Sequence, residues 1–239
     1  MSAPLFLVEG LPDGDRVVLD GPEGHHAADV QRLRPGETLL VGDGRGAQAS
    51  AVVTTVGKGR LEAMITKRWY EQPPSPRLVV VQAIAKGDRG ELAVQAMTEI
   101  GVDVIVPWSA ARSVVQWRNE RGDRARRRWS DTAREAAKQA RRAWVPEITV
   151  AESTRTVAAR LRGAVLLHED AREQLSTVDL LEAGDLVVVV GPEGGLAPEE
   201  LSAFEEAGAR VVRLGPSVLR TSTAGMAALA VLSVRLGRW

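Results

Sequence analysis

Hydrophobic and polar positions follow two different periods along the chain. Up to Tyr70, short runs such as RVVL (16–19), ETLLVG (37–42), ASAVVTTV (49–56) and RLEAMITKRWY (60–70) alternate with turns rich in Gly and Asp. That pattern predicts strands only, most simply a small β-barrel. Beyond Arg77, apolar runs alternate with longer amphipathic segments. RLVVVQAI (77–84), VDVIVP (102–107), GAVLLH (163–168), DLVVVV (185–190) and ARVVRLG (209–215) read as strands. RGELAVQAMTEI (89–100), residues 122–144, PEELSAFEEAG (198–208) and residues 218–237 read as helices. Strands alternating with helices imply an α/β fold with a parallel sheet and crossover connections. The boundary lies in YEQPPSPR (70–77), whose three prolines favour an extended linker. The expected domains are residues 1–72 and 78–239, joined by a Pro-rich linker over 73–77.

Leu186–Val190 is apolar without alternation, as expected of a central parallel strand covered on both faces. It runs straight into Gly191-Pro192-Glu193-Gly194-Gly195. In open α/β sheets ligands sit beyond the carboxyl ends of the strands, so this turn is a candidate ligand loop. No Gly-Lys-Ser/Thr follows, which excludes a P-loop, and Gly-x-Gly-x-x-Gly is absent, which disfavours a nicotinamide oxidoreductase. A plain strand-to-helix turn with Pro198 as first helical residue is the alternative. A second loop, within RLGPSVLRTSTAGMAAL (213–229), leaves a strand through another Gly-Pro turn into a helix of small residues. Together the two make a crevice of backbone amides and carbonyls, better suited to adenosine and an amino-acid moiety than to phosphates.

Composition narrows the chemistry. There are no cysteines and three histidines, which removes disulfides, thiolate zinc sites and a cysteine nucleophile and leaves no histidine-rich metal site. The opening residues show no secretory pattern and the longest apolar stretch is too short to span a bilayer, so a cytoplasmic chain without a membrane partner is expected. Lys+Arg and Asp+Glu balance at 31 each, but unevenly: residues 78–145 carry 13 basic against 8 acidic groups, whereas 146–239 carry 9 against 13. A polyanion would therefore meet the middle third. There the helix over 122–144 places Ala125, Trp129, Ala133, Ala136, Ala137, Ala140 and Trp144 on one stripe, with Arg124, Arg127, Arg134, Lys138, Arg141 and Arg142 largely off it. Those cations form either a phosphate track or a solvated face. Arg32, Arg34 and Arg45 are further candidates for contacts to such a polyanion. His25 and His26 read as turn or surface residues.

The pairing of GPEGG with LGPSVLRTSTA resembles the 16S rRNA uridine-N3 methyltransferases of the RsmE type, in the SPOUT superfamily. HHAADVQRLRPGETLLVGDGRG, AIAKGDRGELAVQAMTEIGVDVIVPWSAARSV and REAAKQARRAWVPEI match further family segments in order, over nearly the whole chain. The resemblance implies a SPOUT-type domain with a deep C-terminal trefoil knot, a small N-terminal PUA-like β-barrel that helps to hold RNA, and a homodimer. It implies that S-adenosyl-L-methionine is held by Gly191, Pro192, Glu193, Gly194 and Gly195 together with Leu214, Gly215, Val218, Leu219, Thr221, Thr223 and Ala224. His168, at the end of its strand, either lines the same crevice as a further donor-site residue or is a satisfied strand-end histidine. The implied substrate is 16S rRNA, free or within the small ribosomal subunit. The family usually reads Leu-Arg-x-Glu-Thr-Ala where this chain has Leu219-Arg220-Thr221-Ser222-Thr223-Ala224, so no carboxylate stands at Ser222. Arg220, permanently charged and rich in donors, is the expected catalytic residue for charge developing on the uracil; a structural ion pair is its alternative role. Glu193 is the second catalytic candidate, to orient the donor or substrate or accept a proton; loop-stabilising hydrogen bonding is its alternative role. A different RNA position, or a ribosome-assembly factor without catalysis, are the competing functions.

Overall fold

The computed structural model describes residues 3–180 and 184–239. They form two compact units, one up to Pro73 together with Ala137–Val145, the other Pro74–Ala136 with Pro146–Trp239.

The first unit holds β1 (Leu5–Leu7), β2 (Arg16–Leu19), β3 (Thr38–Gly42), β4 (Ala47–Gly57) and β5 (Arg60–Tyr70) in one sheet of order β1-β3-β4-β5-β2. β1 pairs parallel with β3, and the remaining pairs are antiparallel. Alternate residues point inward, as the period of two requires: Val17 and Leu19, Ala49, Ala51 and Val53, and Leu61, Ala63 and Ile65 meet Phe6, Leu39 and Val41 in one apolar interior. The strand-only expectation missed α1 (Gly21–His25) and the π-helical turn His26–Val30 that continues it. Ala27 is their one side chain in that interior, too little to create a visible apolar period.

Ala137–Val145 departs from the expected division at residue 78. Gly46 N donates to Ala143 O at 3.0 Å, Val145 N to Gly44 O at 3.0 Å, and Trp144 Nε1 to Glu71 O at 2.9 Å. Lys138 is buried against Glu23, Nζ to Oε1 2.8 Å. The chain turns at Arg141, whose φ is +54°. Ala140, expected on the buried stripe, is exposed because the helix has already ended at Gln139.

In the second unit β6 (Leu78–Ala83), α2 (Arg89–Ile100), β7 (Val104–Ser109) and α3 (Asn119–Gln139) are followed by β8 (Glu147–Ile148), β9 (Glu152–Ser153), α4 (Thr154–Ala158), β10 (Val165–Leu167) and β11 (Glu173–Gln174), then β12 (Leu186–Val190), α5 (Pro198–Glu206), β13 (Arg210–Arg213) and α6 (Thr221–Arg235). The sheet order is β11-β13-β10-β12-β6-β7-β8, with β9 also on β7, and every pair is parallel. β6 and β12 are buried at every residue because both faces are covered. Leu78, Val80, Val188 and Val190 pack with Met97 of α2, Trp129 of α3 and Leu229 of α6. Val79, Val81, Val187 and Val189 pack with Val157 of α4 and Phe204 of α5. α2 has the predicted bounds: Gly101 ends it in the left-handed conformation, φ +109°.

Candidate active site

Parallel pairing puts the carboxyl ends of β10, β12 and β13 on one side of the sheet, with β10 between the other two. The segments leaving them enclose a cavity of about 360 Å³, within the roughly 300–1,000 Å³ of small-molecule and cofactor sites. Its walls are residues 167–169, 190–193, 195, 196, 213–215, 217–222 and 224, with Arg89 at the start of α2. Both glycine-rich loops are therefore present, and one hydrogen bond joins them: Thr221 Oγ1 donates to Gly191 O at 3.0 Å. Gly195, at φ +71°, closes its turn by donating to Pro192 O at 3.0 Å.

Of the expected donor-site residues, Gly194 and Thr223 do not line the cavity. Gly194 faces Arg112 instead: a Cβ there would lie 3.2 Å from Arg112 Cβ and O, and the Arg112 guanidinium donates to Gly194 O at 3.3 Å. That neighbouring loop is fixed by Glu200, a buried carboxylate accepting from Ala111 N at 2.8 Å and Thr154 Oγ1 at 2.9 Å. Thr223 spends its hydroxyl on Arg220 O, 3.2 Å away in its own turn. His168 does line the cavity, and its Nδ1 accepts from Asp170 N at 3.2 Å, so it is also a satisfied strand-end residue.

Arg220 is the residue before α6, with extended φ −70° and ψ 151°, and it lines the cavity. Among the described residues no hydrogen bond or ion pair holds its guanidinium, so the ion-pair alternative has no partner. Glu193 is engaged instead. Its Oε1 lies 3.4 Å from the Lys86 amide and 3.8 Å from the Arg89 guanidinium, contacts that tie the Gly191–Gly195 turn to the segment between β6 and α2.

Arg89, Leu167, Glu169, Val190, Leu196, Arg213 and Ser217 also form the walls and were missed from the sequence. Arg89 had a usable signal: it opens the helix after another strand that ends on the same side of the sheet. Of the RNA candidates, Arg32, Arg34, Arg45, Arg124, Arg127 and Arg141 are exposed and Arg134 and Arg142 half-buried. Lys138, buried against Glu23, presents no solvent-facing charge.

Residues 71–233 match the family model of an RNA methyltransferase domain, and residues 19–65 that of an RNA methyltransferase PUA domain. A ribosomal RNA small subunit methyltransferase E of Mycobacterium bovis is 47% identical over 100% of this chain and 94% of its own length. The chain belongs to the ribosomal RNA small subunit methyltransferase E family. The family member of Bacillus subtilis is 30% identical over 90% of this chain and 88% of its own. Among solved structures, a methyltransferase E from Neisseria gonorrhoeae bound to S-adenosyl methionine is similar at TM-score 0.88, with 29% identity over 98% of each chain. A putative methyltransferase from Legionella pneumophila, in complex with the same cofactor, also superposes at 0.88, with 26% identity over 98% of each chain. The α/β fold with its parallel sheet and the PUA domain are thus those of the methyltransferase E family, and the cavity occupies the strand ends where ligands of such sheets bind.

Proposed function

We propose that this chain transfers the methyl group of S-adenosyl-L-methionine to N3 of one uridine in 16S rRNA of the small ribosomal subunit. The observation that carries the reading is the cavity at the ends of β10, β12 and β13, walled by both glycine-rich loops and bordered by the unpartnered Arg220. Its residues fit the methyl donor. The cavity is large enough, backbone groups of 191–193, 195, 214, 215 and 217–219 offer hydrogen bonds to adenine and ribose, and Glu193 and Glu169 bring carboxylates to a positively charged ligand. When bound, the donor supplies a methyl already activated on a sulfonium. The protein holds the uracil edge in line with that methyl and stabilises the negative charge that spreads over O2 and O4 as N3 gives its proton to solvent water. Arg220 takes the second task. Glu193, tied to Lys86 and Arg89, keeps the donor loop in place.

The exposed arginines of α3 and those at 32, 34 and 45 belong to the same reading as contacts to RNA phosphates. So do a homodimer, which the exposed Leu92, Val234 and Trp239 of the second unit support, and the trefoil threading expected of the fold. No helix among the described residues is long and apolar enough to cross a membrane, which fits a chain working on cytoplasmic ribosomes. Ser222 lines the cavity, but it gives the assembly-factor alternative no further support while Arg220 and Glu193 remain in place.

The direct test incubates the purified protein with labelled donor and small subunits lacking their native methylations, then identifies the nucleoside by mass spectrometry. N3-methyluridine at one site is expected; another methylated nucleoside would refute the acceptor. A second expectation concerns the turn. A β-branched residue at φ +71° costs about 1–2 kcal/mol, so Gly195→Val should weaken donor binding roughly tenfold as the turn opens. Calorimetry showing unchanged affinity would detach this turn from the donor site.

A further inference from the structure

β6 carries one polar residue in an otherwise apolar, fully buried strand. Gln82 is 0% exposed and stands on the face with Leu78 and Val80, beneath α2 and α6. Its Nε2 donates to Ala83 O at 3.2 Å and to Thr221 O at 3.3 Å. Two carbonyl partners fix which end of the amide faces them, since only the NH₂ end can donate to both. The other end, Oε1, is buried and has no hydrogen-bond partner among the described residues. An unmet buried acceptor costs about 1–3 kcal/mol, and an apolar side chain of similar size would avoid that cost. The strand thus keeps a polar residue at a loss of stability, which calls for a compensating role.

The contacts supply one. Thr221 is the first residue of α6, and its own hydroxyl bonds Gly191 O at 3.0 Å. Gln82, Thr221 and Gly191 therefore form a chain from the central strand to both loops of the cavity. Gly225 lets α6 lie close enough for this, since a Cβ there would sit 2.6 Å from Met97 Sδ and 3.5 Å from Gln82 Oε1. We infer that Gln82 is a positioning residue for the methyl donor: it anchors the first turn of α6 and, through Thr221, sets the spacing of the two donor loops. The inference rests on the proposed donor site.

Gln82→Leu separates positioning from packing. Its unfolding midpoint should equal or exceed that of the unsubstituted protein, while the dissociation constant for S-adenosylmethionine, by calorimetry, rises about tenfold, as the loss of one net hydrogen bond implies. A folded Gln82→Leu that binds the donor as tightly as the unsubstituted protein overturns the role. Gln82→Glu gives a readout independent of packing. Its carboxylate cannot donate to Thr221 O, but its protonated form can. The affinity ratio between variant and unsubstituted protein should therefore recover as pH falls, and a ratio constant from pH 8 to pH 5 also overturns the role. An unsubstituted protein that binds no donor at all would instead refute the donor site itself, and the positioning role with it.

Discussion

Arg220→Ala should leave the affinity for S-adenosylmethionine unchanged and lower turnover about a hundred- to a thousandfold, the loss that follows removal of one donor to transition-state charge. The expectation depends on where Arg220 is and on what its guanidinium does not touch. Arg220 lines the cavity from the residue before α6, and no acid among the described residues neutralises its guanidinium. Truncating a partnered arginine would orphan a carboxylate and lower stability; here no partner is left behind, so the unfolding midpoint should stay the same. The carbonyl that Arg220 gives to Thr223 and Ala224 is backbone and survives the substitution. Single-turnover kinetics with saturating donor isolate the chemical step. Wild-type turnover in Arg220→Ala would remove the residue from catalysis, and a matching rise in the donor's dissociation constant would reassign it to donor binding. Arg220→Lys should recover only part of the rate, because an ammonium keeps the charge but loses the fixed fork of donors.

How legible the site was depends on what each feature leaves in the sequence. β6 and β12 were visible because burial on both faces demands nearly continuous apolar residues, and α2 because Gly101 marks its end. The two glycine-rich loops of the cavity were visible because close turns at strand ends select glycine and proline. Sheet order leaves no such mark. β10 lies between β12 and β13 although it precedes both in the chain, so nothing local announced that Glu169 and Arg213 share a cavity with Gly191. The direction of a side chain within a loop is equally silent: Gly194 belongs to the right turn but faces Arg112. Gln82 was read only as part of a strand, since its meaning depends on α6, which begins far along the chain and lies over it. The return of Ala137–Val145 to the first unit was hidden because Lys138 and Trp144 continue the helical spacing of the residues before them. Their partners, Glu23 and Glu71, lie far upstream.

Gly24→Ala should destabilise the first unit strongly, against the ordinary preference for alanine. In a helix interior alanine is favoured over glycine by about 1 kcal/mol, and Gly24 is within α1. Its added Cβ, however, would lie 2.5 Å from Gly59 O and 2.6 Å from Leu19 O. Both are backbone atoms, one at the end of β2 and one in the turn between β4 and β5, so no side-chain rotation relieves the overlap. Either α1 lifts from the sheet or the turn before β5 shifts, and Gly59 N is itself held by Asp29 Oδ2 at 3.1 Å. Such overpacking costs about 3 kcal/mol, enough to lower the unfolding midpoint of a unit this size by roughly 10–20 °C. The residues lining the cavity all belong to the other unit. Below the new midpoint, donor affinity should therefore match that of the unsubstituted protein, while methylation of ribosomal RNA falls if the PUA domain holds the substrate. An unchanged midpoint in calorimetry would mean that α1 can move aside freely. A lower midpoint with full RNA methylation at low temperature would show that substrate capture does not depend on the seating of α1.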